Sequence, residues 1–419
     1  GRASLFSNTT GGGNTAMGLC ALYANISGDQ NVAIGLNAMQ DNTTADNNTA
    51  VGFRAMDKNT TGTSNVGIGM DSLRTSTTGC ENVAVGCGAM CSTTTGNRSV
   101  AVGNNALFAN TTGVNNTAVG WCALETNTEG VGNVGIGYEA LEANTTAGNG
   151  TAVGYRALCS NTTGADNVSV GACSMKLNTT GHSNTAVGTC ALYTNTEGDT
   201  NTAVGHHALK LNTTAADNTG VGRNALCTTT TGCVNTALGS SAMQVNSTGD
   251  SNVAIGGSTL FNNTTADNNV AVGANAMVAN TTGGNNVAMG YQSLLAQTTG
   301  DSNIAVGERA GCGLTTGNGN IIIGQGASQA AMTGACNVVL GYQGLLDATS
   351  ASCNIAIGYR AMFEHVDAAM NVAIGTCALG NNTSIGNQTA VGTCALRANT
   401  SGHSNTAFGY FAACANTTG

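Results

Sequence analysis

A pattern of hydrophobic and polar positions repeats every seventeen residues from one end of the chain to the other. It is clear in residues 269–285, which open with asparagine, a β-branched residue, alanine, an aliphatic residue and glycine. That glycine returns at the same interval from Gly18 to Gly409, in twenty-four consecutive copies without insertion or deletion. A fixed short period is the signature of a solenoid, in which each repeat forms one rung and buries its apolar face by stacking on its neighbours.

We number the repeat from its asparagine as position 1. Positions 2 and 4 are β-branched or otherwise apolar, as in Val32 and Ile34, and a small residue such as Ala33 separates them. This alternation predicts a β-strand, and we expect positions 2 and 4 to point inward and position 3 to point outward. Alanine at position 8 and leucine or methionine at position 9 predict a second short strand, with position 9 in the core.

Positions 12–15 read Asn-Thr-Thr-Gly in many copies, which is a turn-forming sequence. The position-1 asparagines should stack as a ladder of amides along the axis. The sequence therefore predicts an all-β fold without helices: a parallel β-solenoid, of the β-roll or β-helix kind, with about 24 seventeen-residue rungs.

A chain of 419 residues would ordinarily suggest two or three globular domains, but the unbroken periodicity predicts one continuous repeat domain over residues 1–419. The first and last residues both fall within a repeat, so we expect a segment of a longer fibre or a protomer that polymerises end to end. Only 8% of residues are charged, the net charge is −9, and no Lys/Arg cluster is present. These features argue against a nucleic-acid partner, and no apolar run is long enough to predict a membrane span.

The five-residue core of the repeat also carries a resemblance to known families. Residues 31–35 and 252–256, Asn-Val-Ala-Ile-Gly in both cases, resemble the head repeat of trimeric autotransporter adhesins. The Ala-Leu-x-x-Asn-Thr-Thr-Gly part is similar to shaft repeats of phage tail-fibre-like proteins. The resemblance implies a parallel β-roll, assembly as a homotrimer and a role at a cell or virion surface.

Residues 297–370 form a divergent belt in which five successive copies lack asparagine at position 12. In the same belt, Ile322 and Val339 replace the usual alanine at position 3. If position 3 faces outward, this apolar bulk is a candidate interface for another chain. The alternative is drift in a degenerate repeat, with the two side chains filling a wider gap in the packing.

Cysteines at equal positions of successive rungs would have Cα atoms close enough for disulfides. Three such pairs are candidate disulfides, and they favour an oxidising, extracellular setting. The alternative is small buried thiols. The pairs are Cys173/Cys190, Cys336/Cys353 and Cys377/Cys394.

Position 12 also opens an Asn-x-Thr/Ser sequon in most copies. A turn projecting from a secreted fibre is a typical place for N-glycans, although Asn-Thr-Thr-Gly is also ordinary turn chemistry. The candidate glycosylation sites are Asn8, Asn25, Asn42, Asn59, Asn110, Asn144, Asn161, Asn178, Asn212, Asn246, Asn263, Asn280, Asn382, Asn399 and Asn416.

Aromatic residues gather at position 6, where they could stack on sugars or pack on the rim of the rung. They include Trp121, Tyr138 and Tyr155. The histidines and carboxylates are scattered substitutions, from which we expect no catalytic residues, no metal and no cofactor.

The sequence thus favours a non-enzymatic extracellular structural fibre or filament, an adhesin-like or tail-fibre-like shaft. Its expected partners are other copies of the chain and, through a repeated surface, glycans or a host cell surface. The alternative is an ice-binding solenoid, because threonines stack at position 13, as in Thr43, Thr60, Thr77, Thr94 and Thr111.

Overall fold

The computed structural model describes residues 1–418. The chain forms two compact units, Gly1–Thr214 and Ala215–Gly419. Each unit is a parallel β-solenoid of seventeen-residue rungs, which confirms the predicted fold class. No helix occurs in the described part of the chain, and so none that could cross a membrane.

Each rung contributes one three-residue strand, formed by positions 2–4. The strands of the first unit are β1 (Thr15–Met17), β2 (Val32–Ile34), β3 (Thr49–Val51), β4 (Val66–Ile68), β5 (Val83–Val85), β6 (Val100–Val102), β7 (Thr117–Val119), β8 (Val134–Ile136), β9 (Thr151–Val153), β10 (Val168–Val170), β11 (Thr185–Val187) and β12 (Thr202–Val204). Consecutive strands pair in parallel with equal positions opposite each other.

The second unit repeats the arrangement. Its strands are β13 (Thr219–Val221), β14 (Thr236–Leu238), β15 (Val253–Ile255), β16 (Val270–Val272), β17 (Val287–Met289), β18 (Ile304–Val306), β19 (Ile321–Ile323), β20 (Val338–Leu340), β21 (Ile355–Ile357), β22 (Val372–Ile374), β23 (Thr389–Val391) and β24 (Thr406–Phe408). They too pair in parallel with equal positions opposite each other.

The expected direction of the strand faces is wrong. Position 3 points inward and is fully buried, as at Ala33, whereas positions 2 and 4 lie on the outer surface. The interior has room for one large side chain per rung, supplied by position 9, for example Met39. Because the side chains at positions 3 and 8 are small, the backbone on either side of the interior can pack closely against the side chain of position 9. The prediction that position 9 lies in the core is confirmed.

The predicted second strand is absent from the described rungs. Positions 6–11 form a run of turns in which positions 7 and 9 adopt positive φ, as at Cys20 (56°) and Leu22 (50°). This stretch still bonds to its neighbours. The Leu22 amide donates to the carbonyl oxygen of Ala38 in the following rung at 3.1 Å, and the Cys20 amide donates to that of Arg2 in the preceding rung at 3.2 Å.

The glycine at position 5 is required by the close stacking of the rungs. Gly35 has a φ of 138°, and a Cβ placed on it would lie 2.3 Å from the carbonyl oxygen of Gly52. A side chain at this position would therefore push neighbouring rungs apart. This explains why the glycine recurs without interruption.

Two asparagine ladders run along the inside of the rungs. At position 1, the Asn31 amide donates to the side-chain oxygen of Asn14 at 2.9 Å, and its side-chain nitrogen donates to the carbonyl oxygen of Ala45 at 2.8 Å. At position 12, the side-chain nitrogen of Asn42 donates to the side-chain oxygen of Asn25 at 2.7 Å. The predicted position-1 ladder is confirmed, and the position-12 ladder is a second one.

Candidate interaction surface

The outer face of the strands is an uncharged surface built by positions 2 and 4, with threonine at position 2 in ten of the twenty-four rungs; we call it the strand face. Position 4 is apolar and position 2 is Thr, Val or Ile in every rung, so the two columns carry no charge. Their side chains are substantially exposed, for example 38% at Val187, 37% at Ile255 and 40% at Ile323. β-Branched side chains favour this outer position because they pack well on a pleated sheet surface.

An aromatic rim borders the strand face at position 6. Trp121 stacks on Tyr138 with ring centroids 4.9 Å apart, and Tyr138 stacks on Tyr155 at 5.3 Å. The guanidinium of Arg156 lies 5.7 Å from the centre of the Tyr155 ring. The rings therefore stack mainly on one another along the axis, and this is a packing role for the aromatic column.

The candidate glycosylation sites lie inside the rungs, so the structure contradicts their assignment to projecting turns. Asn178 is fully buried, and its side-chain nitrogen, the atom that would carry a glycan, donates to the side-chain oxygen of Asn161 at 2.8 Å and to the carbonyl oxygen of Gly181 at 2.9 Å. Of the predicted set, only the terminal Asn8 and Asn416 are partly exposed. The fully buried sites are Asn25, Asn42, Asn59, Asn110, Asn144, Asn161, Asn178, Asn212, Asn246, Asn263, Asn280, Asn382 and Asn399.

The candidate interface of the divergent belt is also in the core. Ile322 and Val339 are fully buried, because position 3 faces inward. Near Ile322, position 9 is reduced to Gly311 and Ser328, and the terminal carbon of Ile322 lies 3.1 Å from where a Gly311 Cβ would stand. Near Val339, position 8 is reduced to Gly344, whose Cβ would lie 2.9 Å from a Val339 methyl. The larger side chains replace volume lost across the core.

The six cysteines predicted to form disulfides are free thiols. Cys336 and Cys353 are exposed at position 17, Cys173, Cys190 and Cys377 are half-buried at position 7, and Cys394 is buried there. Burial is the main cause that raises the pKa of the Cys190 thiol, and the neighbouring Cys173 raises it further. The structure therefore does not support the disulfide assignment.

A polar cluster on positions 7 and 10 of two adjacent rungs escaped the sequence analysis. Glu139 pairs with Arg156, and the thiol of Cys159 donates to a carboxylate oxygen of Glu142 at 3.3 Å. Burial acts to raise the pKa of Glu139, but hydrogen bonds from Arg156 and Tyr138 outweigh it and hold that pKa below its ordinary value. Equal repeat positions in successive rungs are the signal that would have found this cluster.

Ligand-like atoms of Glu139, Glu142 and Cys159 lie within 4.8 Å of one another. Their protein partners already satisfy them, since Arg156 neutralises Glu139 and the Cys159 thiol keeps its proton. Burial and the hydrogen bond to Glu142 raise the pKa of that thiol to about 12. The cluster is an ion-pair network that links two rungs.

The stacked threonines at position 13 are half-buried and bonded along the axis. The hydroxyl of Thr43 donates to the carbonyl oxygen of Thr60 at 3.1 Å, and that of Thr60 donates to Thr77 at 2.9 Å. Thr77 and Thr94 continue the column at 3.1 Å each. The hydroxyls thus tie the rungs together in addition to forming a regular surface column.

No known protein family matches the chain, and a search of curated proteins finds no similar sequence. The fold and its surfaces therefore carry the functional interpretation.

Proposed function

We propose that this chain is an extracellular structural fibre element, an adhesin-like or tail-fibre-like shaft that presents a repeated surface and has no enzymatic role. One observation supports it above the others: hydrogen-bond ladders run along the axis on several sides of each unit. The strands, the two asparagine columns and the position-13 threonines all bond from rung to rung.

Such ladders resist local opening. In a solenoid, each rung contacts only its neighbours, so stability is a sum of rung and interface terms. Releasing one rung breaks bonds on both sides and exposes buried amides, each of which costs about 1–3 kcal/mol if left unpaired. A unit of twelve strands at about 4.8 Å per rung extends roughly 53 Å along its axis. Length, stiffness and resistance to proteases follow from this construction.

The experiment is limited digestion of the full chain with a protease of broad specificity. We expect slow cleavage of the wild type and rapid cleavage near residues 161–195 when Asn161, Asn178 and Asn195 are replaced by alanine. The matched control replaces the exposed Thr146, Thr163 and Thr180 by alanine and should resist like the wild type. Equal rates in both variants, or digestion of the wild type as fast as an unfolded chain, would reject a shaft built on these ladders.

Ice binding is the second candidate function, favoured by the regular spacing of the position-13 column. Thr43 to Thr111 stand at equal positions of successive rungs and remain partly exposed. Thermal hysteresis of the purified chain is the test. Hysteresis that disappears when Thr60, Thr77 and Thr94 are replaced by valine would establish ice binding, whereas no hysteresis in the wild type would eliminate it.

A further inference from the structure

We propose that a notch beside Gly380, in the second unit, binds an oxyanion group: a carboxylate, sulfate or phosphate group of a small molecule. The notch has a volume of about 150 Å³, which holds several water molecules or one small anion. Arg360 in the preceding rung and Arg397 in the following rung both line it. The inference goes beyond the proposed shaft, whose ladders need no ligand.

A missing side chain creates the notch. Gly380 is the one glycine in the position-10 column, and the rungs on either side carry Phe363 and Arg397 there. The backbone at this point is satisfied, because the Gly380 amide donates to the carbonyl oxygen of Cys377 at 3.2 Å and its carbonyl oxygen accepts from the Glu364 amide at 2.9 Å. The turn run over residues 376–381 is kept. The rung therefore loses side-chain volume on its surface without losing its fold.

Contacts with its neighbours hold the guanidinium of Arg360 in place. It lies 4.5 Å from the centre of the Phe363 ring and 5.5 Å from that of the Tyr359 ring, and such contacts between a cation and an aromatic face are favourable. Its Nε donates to Oε1 of Gln343 at 2.9 Å. These contacts leave the two terminal nitrogens as donors. A guanidinium that is already fixed loses little freedom when it binds an anion.

The protein does not neutralise the two guanidiniums of the notch. Within residues 1–418, no carboxylate oxygen lies within 4.0 Å of a side-chain nitrogen of Arg360 or Arg397, whereas Arg54 and Arg98 each have one at 3.0 Å. Glu364 is the carboxylate that lines the notch. Two arginines and one glutamate give the notch a net charge of +1, in a chain whose net charge is −9.

This arrangement favours an oxyanion over a cation or a neutral ligand. The planar guanidinium matches the geometry of carboxylate and phosphate oxygens and forms two parallel hydrogen bonds with them. The exposed side chain of Asn381 lines the same notch and has an amide that can donate a further bond. A cation would be held by Glu364 alone and would meet two positive charges. A neutral ligand would not balance the excess positive charge.

The test is isothermal titration calorimetry of the full chain at pH 7 and low ionic strength. Inorganic phosphate, inorganic sulfate and malonate are the three oxyanion probes, and their comparison shows whether a carboxylate or a tetrahedral anion fits better. Glucose is the neutral probe, and calcium chloride supplies the cationic one.

Two variants remove the notch in different ways. Arg397→Gln removes one guanidinium, and Gly380→Gln fills the space with a residue that other rungs carry at position 10, as at Gln40 and Gln244. The matched control is Arg223→Gln, which removes another exposed arginine of the second unit that does not line the notch. It makes the same change in net charge as Arg397→Gln.

A third variant should strengthen binding. Glu364→Gln removes the carboxylate that lines the notch and alters only an exposed side chain. It should lower the dissociation constant for the oxyanion, because it removes the repulsion of a like charge. A gain of affinity is a result that misfolding does not produce.

We expect one site per chain for at least one of the three oxyanions, and none for glucose or calcium. Arg397→Gln and Gly380→Gln should each raise the dissociation constant at least about tenfold, because one loses a charge-assisted hydrogen bond and the other closes the notch. Arg223→Gln should bind like the wild type. Circular dichroism should show the same fold in all variants.

Four results would overturn the proposal: a wild type that binds none of the three oxyanions, unchanged binding in both Arg397→Gln and Gly380→Gln, an equal loss in Arg223→Gln, or binding of glucose or calcium in their place. None of these results bears on the shaft, because protease resistance tests the ladders and does not depend on the notch. Loss of the shaft proposal would likewise leave the titration results unchanged.

Discussion

The side-chain nitrogen of Asn59 donates to the side-chain oxygen of Asn42, one rung away, at 3.2 Å, and to the carbonyl oxygen of Gly62 at 2.9 Å. Both asparagines are fully buried. Asn59 is therefore part of the position-12 ladder, and its side-chain nitrogen has no room to carry a sugar.

This relationship predicts that the folded protein carries no glycan at Asn59, even when it is made in a glycosylating secretory pathway. Mass spectrometry of the protease-resistant fraction is the measurement. Thr61→Asn is the matched control: it removes the Asn59 sequon and creates one at an exposed position two residues away. That site should be occupied. A glycan on Asn59 in the resistant fraction would contradict the ladder.

The divergent belt provides a second prediction. Ile322→Ala should destabilise the second unit by about 2–5 kcal/mol, because Ile322 is fully buried and its terminal carbon occupies the space beside Gly311. Ile323→Ala, in the same strand but 40% exposed, should cost less than about 1 kcal/mol. Thermal unfolding of both variants is the measurement. Equal losses would show that Ile322 does not fill the core.

Comparison of these residues shows what the sequence could and could not predict. The seventeen-residue period predicts stacked rungs, parallel strands at positions 2–4, the glycine at position 5 and the core role of position 9. Alternation alone does not say which strand face is inside, because Val32 and Ala33 are both compatible with a core. The interior of a rung is so narrow that only the small side chain of Ala33 fits inside at this point. The width of the interior depends on the tertiary structure.

The two site predictions are wrong for different reasons. Ile322 was expected on the outside because position 3 was expected to face outward. Asn178 was expected in a projecting turn because Asn-Thr-Thr-Gly is a turn-forming sequence, and that sequence does not show that the asparagine side chain bonds inside the rung. Alanine at position 8 and leucine or methionine at position 9 predict a second short strand, but the structure has turns there, with a positive φ at Leu22 that leucine rarely adopts. Hydrogen bonds between rungs offset the energetic cost of this backbone conformation. They cannot be inferred from the sequence of a single rung.

We expect His365 to make the belt sensitive to pH. It replaces asparagine at position 12, is fully buried, and places its two ring nitrogens 3.1 Å from the carbonyl oxygen of Asn382 and 2.9 Å from that of Ala368. Burial lowers the pKa of His365, although the two carbonyls and Asp367 oppose this shift. Below about pH 6.5 the unfolded chain therefore binds more protons than the folded chain.

We expect the stability of these rungs to be complete above about pH 6.5 and to fall as the pH drops from there through the folded pKa. Proteolysis near residues 349–383 between pH 8 and pH 5 measures this. His365→Asn restores the residue usual at position 12 and should remove the pH dependence. A wild type that is equally resistant at both pH values would contradict a neutral buried imidazole.

Thiol reactivity should follow exposure and pKa. Burial and a hydrogen bond with Glu125 raise the pKa of Cys122 to about 12, whereas Cys336 and Cys353 are exposed. Because the thiolate is the nucleophile, iodoacetamide at pH 8 should modify Cys336 and Cys353 and spare Cys122 until the chain is unfolded. Peptide mapping without reductant is the measurement. If Cys336 and Cys353 react only after reduction, they are linked and not free thiols.

The assignment of the two strand faces is tested most directly by hydrogen exchange of Ala186→Asp and Val187→Asp. These neighbours lie in the same strand, but Ala186 is fully buried and Val187 is 38% exposed. An unpaired charge at Ala186 should cost about 3 kcal/mol or more, and the rungs around residue 186 should lose protection. Val187→Asp should exchange like the wild type. Loss of protection in Val187→Asp, with Ala186→Asp unaffected, would contradict the account.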